Sequence, residues 1–119
     1  MRIVLSAQLV LILIVLPLMG LAGDGTSVYR GHLVIGPEAE VFKPCGANTD
    51  YWLDVDLVSR NALAERYMKL VKGAYGGVFV VFRGSLGPQL DCGFCEHSPG
   101  SFKVTETLEL RSSGAGDCK

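Results

Sequence analysis

Four cysteines, Cys45, Cys92, Cys95 and Cys118, all lie downstream of an apolar N-terminal run that contains none. In a chain of 119 residues that placement constrains the fold more than any other feature. Behind an export leader the thiols meet an oxidising compartment and become disulfide halves, and a small domain with a modest core can rely on such cross-links. The leader has a basic start at Arg2, an apolar middle from Leu9 to Met19, and small residues at Gly20 and Ala22 before Gly23-Asp24-Gly25. Those are the three parts of a secretory signal peptide. A retained anchor is the alternative, but the run falls short of the roughly 20 apolar residues that span a bilayer. No cysteine stands at the exit for lipid attachment. Residues 1–22 therefore read as a signal peptide and 23–119 as one domain, periplasmic or secreted, with no stable membrane insertion after cleavage.

Charge narrows the partners. The whole chain has 11 Lys and Arg against 12 Asp and Glu, so losing Arg2 with the leader leaves 10 against 12, a net charge of −2. Nucleic acid needs clustered cations to displace counterions, and no such cluster exists, so a nucleic-acid partner is not expected. No polybasic segment is present to hold an anionic membrane.

Hydrophobic periodicity sets the elements. Val28–Ile35 reads as a strand, Gly36-Pro37-Glu38 as a turn, and Ala39–Phe42 as a short second strand stopped by Pro44. Tyr51–Leu57 alternates, with Tyr51, Leu53, Val55 and Leu57 on one face and Asp54 and Asp56 on the other. The period then changes to that of a helix: Leu63, Tyr67, Leu70 and Val71, with Ala64 and Met68, oppose a polar face, Asp56 or Ser59 caps the start, and Gly73 closes the end. Val78–Gly84 is apolar on both parities and predicts a central strand. A loop over 86–100 precedes a last strand, Phe102–Leu110, with Phe102, Val104, Leu108 and Leu110 on one face. Glu106 interrupts that face, which predicts a bulge or strand-end exposure, the alternative being a buried functional carboxylate. Three strands, a helix and two strands make a mainly β chain, in the order of a five-stranded OB-fold-like barrel with one helix between strands 3 and 4. A small open α+β sheet is the competing architecture.

The cysteines admit three pairings. A Cys45–Cys118 bridge would pin the C-terminal tail across a long loop, where chain entropy favours a cross-link, and Cys92–Cys95 would then tighten its loop locally. Pairing of Cys45 with Cys92 or Cys95 stays open on sequence alone. Cys92-Gly93-Phe94-Cys95 has His97 two residues beyond it, and two thiolates with an imidazole suit zinc or cuprous copper. Metal binding at Cys92, Cys95 and His97 is thus the alternative function, though a closed zinc site needs a fourth ligand and oxidation would remove the thiolates. Otherwise no cofactor is expected. Thioredoxin-like catalysis needs the first thiol at a helix N-terminus, and no helical periodicity comes after this motif. Nor does the chain hold a G-x-S-x-G elbow, an H-E-x-x-H helix or a phosphate loop, so an enzyme is not expected.

Tyr29-Arg30-Gly31-His32-Leu33-Val34-Ile35-Gly36-Pro37-Glu38, then Val41-Phe42-Lys43-Pro44-Cys45-Gly46 and Tyr51-Trp52-Leu53, form an aromatic-x-Gly strand, an F-x-P-C-G turn and a Tyr/Trp-Trp strand. This series resembles the OB-fold domain of NlpE-type bacterial envelope lipoproteins and related small exported proteins. The resemblance implies an envelope protein, a disulfide from the Pro44-Cys45-Gly46 turn to the C-terminal region, and a role in copper homeostasis or surface stress sensing. The lipid-attachment cysteine and the preceding N-terminal barrel of those lipoproteins are departures. The leading expectation is a non-catalytic binding module for an envelope protein or small ligand. OB-folds commonly bind on the face of strands 2 and 3, which here gives Phe42, Lys43, Tyr51 and Trp52.

Overall fold

A computed structural model describes residues 25–119, and the expected signal peptide lies outside the described residues. Five strands, β1 (Ser27–Gly36), β2 (Ala39–Pro44), β3 (Tyr51–Asp54), β4 (Val78–Gly87) and β5 (Ser101–Ser112), form one sheet. Among the described residues a single α-helix, α1 (Leu57–Leu70), stands between β3 and β4, as its periodicity predicts. β1 pairs antiparallel with both β2 and β4, β2 with β3, and β4 with β5, while β3 and β5 run parallel. Each strand therefore has two neighbours, and the sheet closes in the order β1-β2-β3-β5-β4. Among the described residues every strand thus has a partner on both sides over at least part of its length, which shortens the edges open to aggregation.

The interior is filled from every strand. Leu33, Ile35, Phe42, Leu53, Val78, Val80, Phe82 and Phe102 make the core, and Leu63 and Tyr67 from α1 complete it. Phe42 and Phe102 have ring centroids 4.8 Å apart, Phe42 and Phe82 5.1 Å. Each such phenylalanine removed from water is worth about 1.5–3 kcal/mol, and a well-placed ring pair adds about 0.5–1.5 kcal/mol. The helix is tied to the sheet by the Arg60–Glu40 ion pair, and the Tyr67 hydroxyl donates to the Gly76 carbonyl, in the connection to β4, at 2.6 Å.

Two boundaries depart from simple periodicity. Strand β3 stops at Asp54 because Asp56 is already the cap of α1: its carboxylate accepts from the Ser59 amide and hydroxyl, both at 2.9 Å. Leu57, expected on the buried face of β3, is instead the first helical residue and 69% exposed. Those bonds from Ser59, the amide first, lower the Asp56 pKa. At its other end α1 stops at Leu70, and Gly73, with φ +92°, lies in the connection to β4.

In β5 the register slips twice against β4. Val80 faces Leu110 and Phe82 faces Thr107, then Arg83 faces Glu106 and Gly84 faces Val104. Leu108 and Thr105 are the extra residues, and each bulge reverses the parity of the strand on its far side. Past Ser101, buried at the strand start, the more buried positions are therefore 102, 104, 107, 110 and 112, and Leu108, expected inside, is exposed. Glu106 is exposed as well, 3.4 Å from the Arg83 guanidinium, in keeping with the bulge and not with a buried carboxylate.

Candidate functional site

Alternation in β2 and β3 divides the expected binding face. Phe42 has 0% of its surface accessible and sits in the core, and Tyr51, its cross-strand partner, packs against that core. Successive strand residues point to opposite sides, so Lys43 and Trp52 face outward. Phe42 is thus withdrawn from the accessible face. Tyr51 is held on the inner side as well, against the Gly100 backbone.

The outer side carries an ordered strip. Trp52 pairs with Val41, and Val41 with Val34, giving an apolar row across β3, β2 and β1. The next row runs Lys43, His32, Phe79 and Arg111 across β2, β1, β4 and β5. Lys43 has no ion-pair partner among the described residues. An indole, two valines and an ammonium therefore share one face of β1–β3.

The second row is roofed by the C-terminal tail. Phe79 points away from the core, yet only 1% of it is accessible. The Arg111 guanidinium lies 4.1 Å from its ring centroid and that of Arg30 5.4 Å, a pair of cation–π contacts. Asp117 holds the cover in place. Its carboxylate accepts from the Gly114 amide and Arg111 Nη1, each at 2.8 Å, lies 2.8 Å from His32 Nε2, and its carbonyl accepts from Arg30 at 2.9 Å. The Gly114 bond is the main cause that keeps the Asp117 pKa down at about 2; His32 and Arg111 act in the same sense and burial in the opposite one. Beside it Cys118 is bonded to Cys45, with Cα atoms 5.4 Å apart. Asp117 was invisible to periodicity, since it stands in a Ser/Gly/Ala tail with no pattern.

The remaining cysteines are joined to each other. Cys92 and Cys95 form the second disulfide, at the start of a single 3-10 turn, Phe94–His97, in the β4–β5 connection. His97 lies edge-on to Phe94, centroids 6.4 Å apart. Among the described residues no group of three or more His, Cys, Asp or Glu side chains is placed to hold a metal ion. In the bridged form neither thiolate of the expected Cys92, Cys95 and His97 set is available.

A concavity that leaves no signal in the sequence lies between α1 and the turn joining β1 to β2. It is a cleft of about 500 Å³ lined by Ile35, Pro37, Tyr67, Met68, Val71 and Tyr75. Tyr75 has φ +58°, a left-handed backbone unusual for a bulky residue. Its ring lies over Gly36, where an added Cβ would come within 2.4 Å of it. Apolar walls and a strained aromatic residue at the rim fit the lining of a small-molecule site.

No protein-family model, curated protein or solved structure matches the chain.

Proposed function

We propose that the chain is a non-catalytic exported binding module built as an OB-fold-like barrel, whose partner docks on the outer face of β1–β3. The barrel reading is supported by the closed strand order and by the helix between β3 and β4. The functional reading rests on cross-strand register, which aligns Trp52, Val41 and Val34 in a row, with the Lys43 ammonium, without an ion-pair partner among the described residues, beside it. Tryptophan supplies a large rigid contact surface, and a cation at the rim selects charge. The complementary partner is an envelope protein segment that sets an apolar side chain next to a carboxylate. The resemblance to NlpE-type envelope lipoproteins adds the envelope location and a part in copper homeostasis or surface stress sensing.

Capture from an envelope fraction with the wild-type protein, Trp52→Ala and Lys43→Ala tests the face. Loss of the same captured protein with both variants is the expected result. Unchanged recovery with both would remove the face from consideration.

The cleft beneath Tyr75 favours a second reading, a small apolar ligand, because about 500 Å³ lies within the usual range of ligand pockets. Uptake of an apolar fluorescent dye, reduced in Met68→Lys but not in Trp52→Ala, would assign the ligand to the cleft. Equal uptake by wild type and Met68→Lys would end this reading.

A further inference from the structure

We propose that the Cys92–Cys95 disulfide is a thiol–disulfide exchange site that accepts two electrons from an external dithiol, while Cys45–Cys118 remains oxidised as the structural link. The two bridges differ in the segments they hold. Cys45 and Cys118 are 73 residues apart and anchor the tail over β1 and β4, whereas Cys92 and Cys95 are 3 apart within one loop. In the chain-entropy picture, closing so short a loop adds far less stability than closing the long one. The Cys92–Cys95 bond can therefore open without loosening the fold.

The loop is braced without it. The Gln89 side-chain amide donates to the carbonyls of Glu96 at 2.9 Å and Ser98 at 3.0 Å. The Ser101 hydroxyl donates to the Pro88 carbonyl at 2.7 Å, and the Trp52 amide donates to the Gly100 carbonyl at 3.1 Å. Reduction would leave all four of these bonds in place.

The two sulfurs are also unequal. Cys92 is exposed, and Cys95 has 0% accessible surface. An incoming thiolate is thereby directed to the Cys92 side, which makes Cys95 the leaving group. The partner's sulfur bonds to Cys92 Sγ, the Cys92–Cys95 bond breaks, and its electron pair departs on Cys95 Sγ, which takes a proton. The partner's second thiolate then attacks its own sulfur in the mixed disulfide, and Cys92 leaves and is protonated. The protein disulfide has gained two electrons and two protons, and the partner dithiol has become a disulfide. This role is that of an electron acceptor for a dithiol protein, distinct from thioredoxin-like catalysis, and it does not depend on the ligand face of β1–β3.

The test is graded reduction of the folded, fully oxidised full-length chain with dithiothreitol. Circular dichroism is recorded first; free thiols are then trapped by acid, alkylated after unfolding so that buried and exposed sulfurs are counted alike, and located by peptide mass spectrometry. Labelling of Cys92 and Cys95 while Cys45 and Cys118 stay unlabelled, with the native spectrum retained, is the expected result. Labelling of all four together, or of Cys92 and Cys95 only when dithiothreitol is added in denaturant, would overturn the proposal. The asymmetry has its own readout in the single variants. The Cys92 thiol of Cys95→Ser should react with an aromatic disulfide reagent in the folded protein, and the Cys95 thiol of Cys92→Ser should lose that reactivity. Equal reactivity of the two would contradict the assigned direction of attack.

Discussion

His32 Nε2 lies 2.8 Å from Asp117 Oδ2, so the last turn of the chain is fastened to the middle of its first strand. Asp117 is also bonded to Gly114 and Arg111, and it is buried beside the Cys45–Cys118 bridge. This one carboxylate organises the cover of Phe79.

Its titration gives the first prediction. The Asp117 pKa falls from an ordinary 3.8 to about 2 in the folded protein, so the native state binds fewer protons than the unfolded chain. The resulting stabilisation is fully present above the unfolded value and is lost as pH falls from roughly 4 through about 2. Asp117→Asn should be less stable than wild type at neutral pH and decline less steeply between those values. Urea midpoints at a series of pH values check this. Parallel curves for the two proteins would show that Asp117 is not the titrating group.

Removing the long bridge should be more damaging than removing any one of these hydrogen bonds. Closing a loop between residues 73 apart is worth about 4 kcal/mol in the chain-entropy model. The double variant Cys45→Ala, Cys118→Ala should lose about that much in equilibrium unfolding. Its tail should also exchange amide hydrogens faster than β1 and β4.

Closing the sheet brings β4 and β5 close at Gly84. A Cβ built there falls 2.1 Å from the Lys103 carbonyl oxygen and 2.7 Å from the Phe102 ring. Both obstacles are fixed, one being backbone and the other a fully buried ring. Gly84→Ala should destabilise by about 1–3 kcal/mol through overpacking. Gly116→Ala, where nothing lies within 4 Å, is the control and should stay within about 0.5 kcal/mol of wild type. Thermal melts of the two distinguish crowding from the general effect of losing a glycine.

Much of the fold was legible because its signals are local. The alternation of β1, the turn at Gly36-Pro37, the helical spacing of Leu63 and Tyr67, and the doubly apolar β4 each lie within one element. Two misreadings came from parity. Leu57 continues the pattern of β3 although Asp56 is also recognisable as a possible cap, and the cap prevails because its carboxylate satisfies the Ser59 amide. Leu108 continues the pattern of β5; Glu106, breaking that pattern, signals a bulge, but the two bulge positions, at Thr105 and Leu108, are set by pairing with β4 and cannot be read from β5 alone.

The candidate site was half legible. Phe42 next to Lys43, and Tyr51 next to Trp52, cannot share a face of a strand, and alternation alone would have separated them. The row formed by Trp52, Val41 and Val34 needed cross-strand register. So did the pairing of Phe79 with Arg111 beneath the tail, which depends on contacts among β1, β4 and residues after β5.

Trp52 is the only tryptophan in the chain, so its emission reports on the proposed face directly. The decisive measurement is a fluorescence titration of the wild-type protein and Lys43→Ala with the purified captured partner. Docking on this face requires a saturable change in Trp52 emission for the wild type, with weaker binding by Lys43→Ala and a smaller salt dependence. Saturable binding, detected independently by calorimetry, that leaves Trp52 emission unchanged and Lys43→Ala unaffected would contradict it.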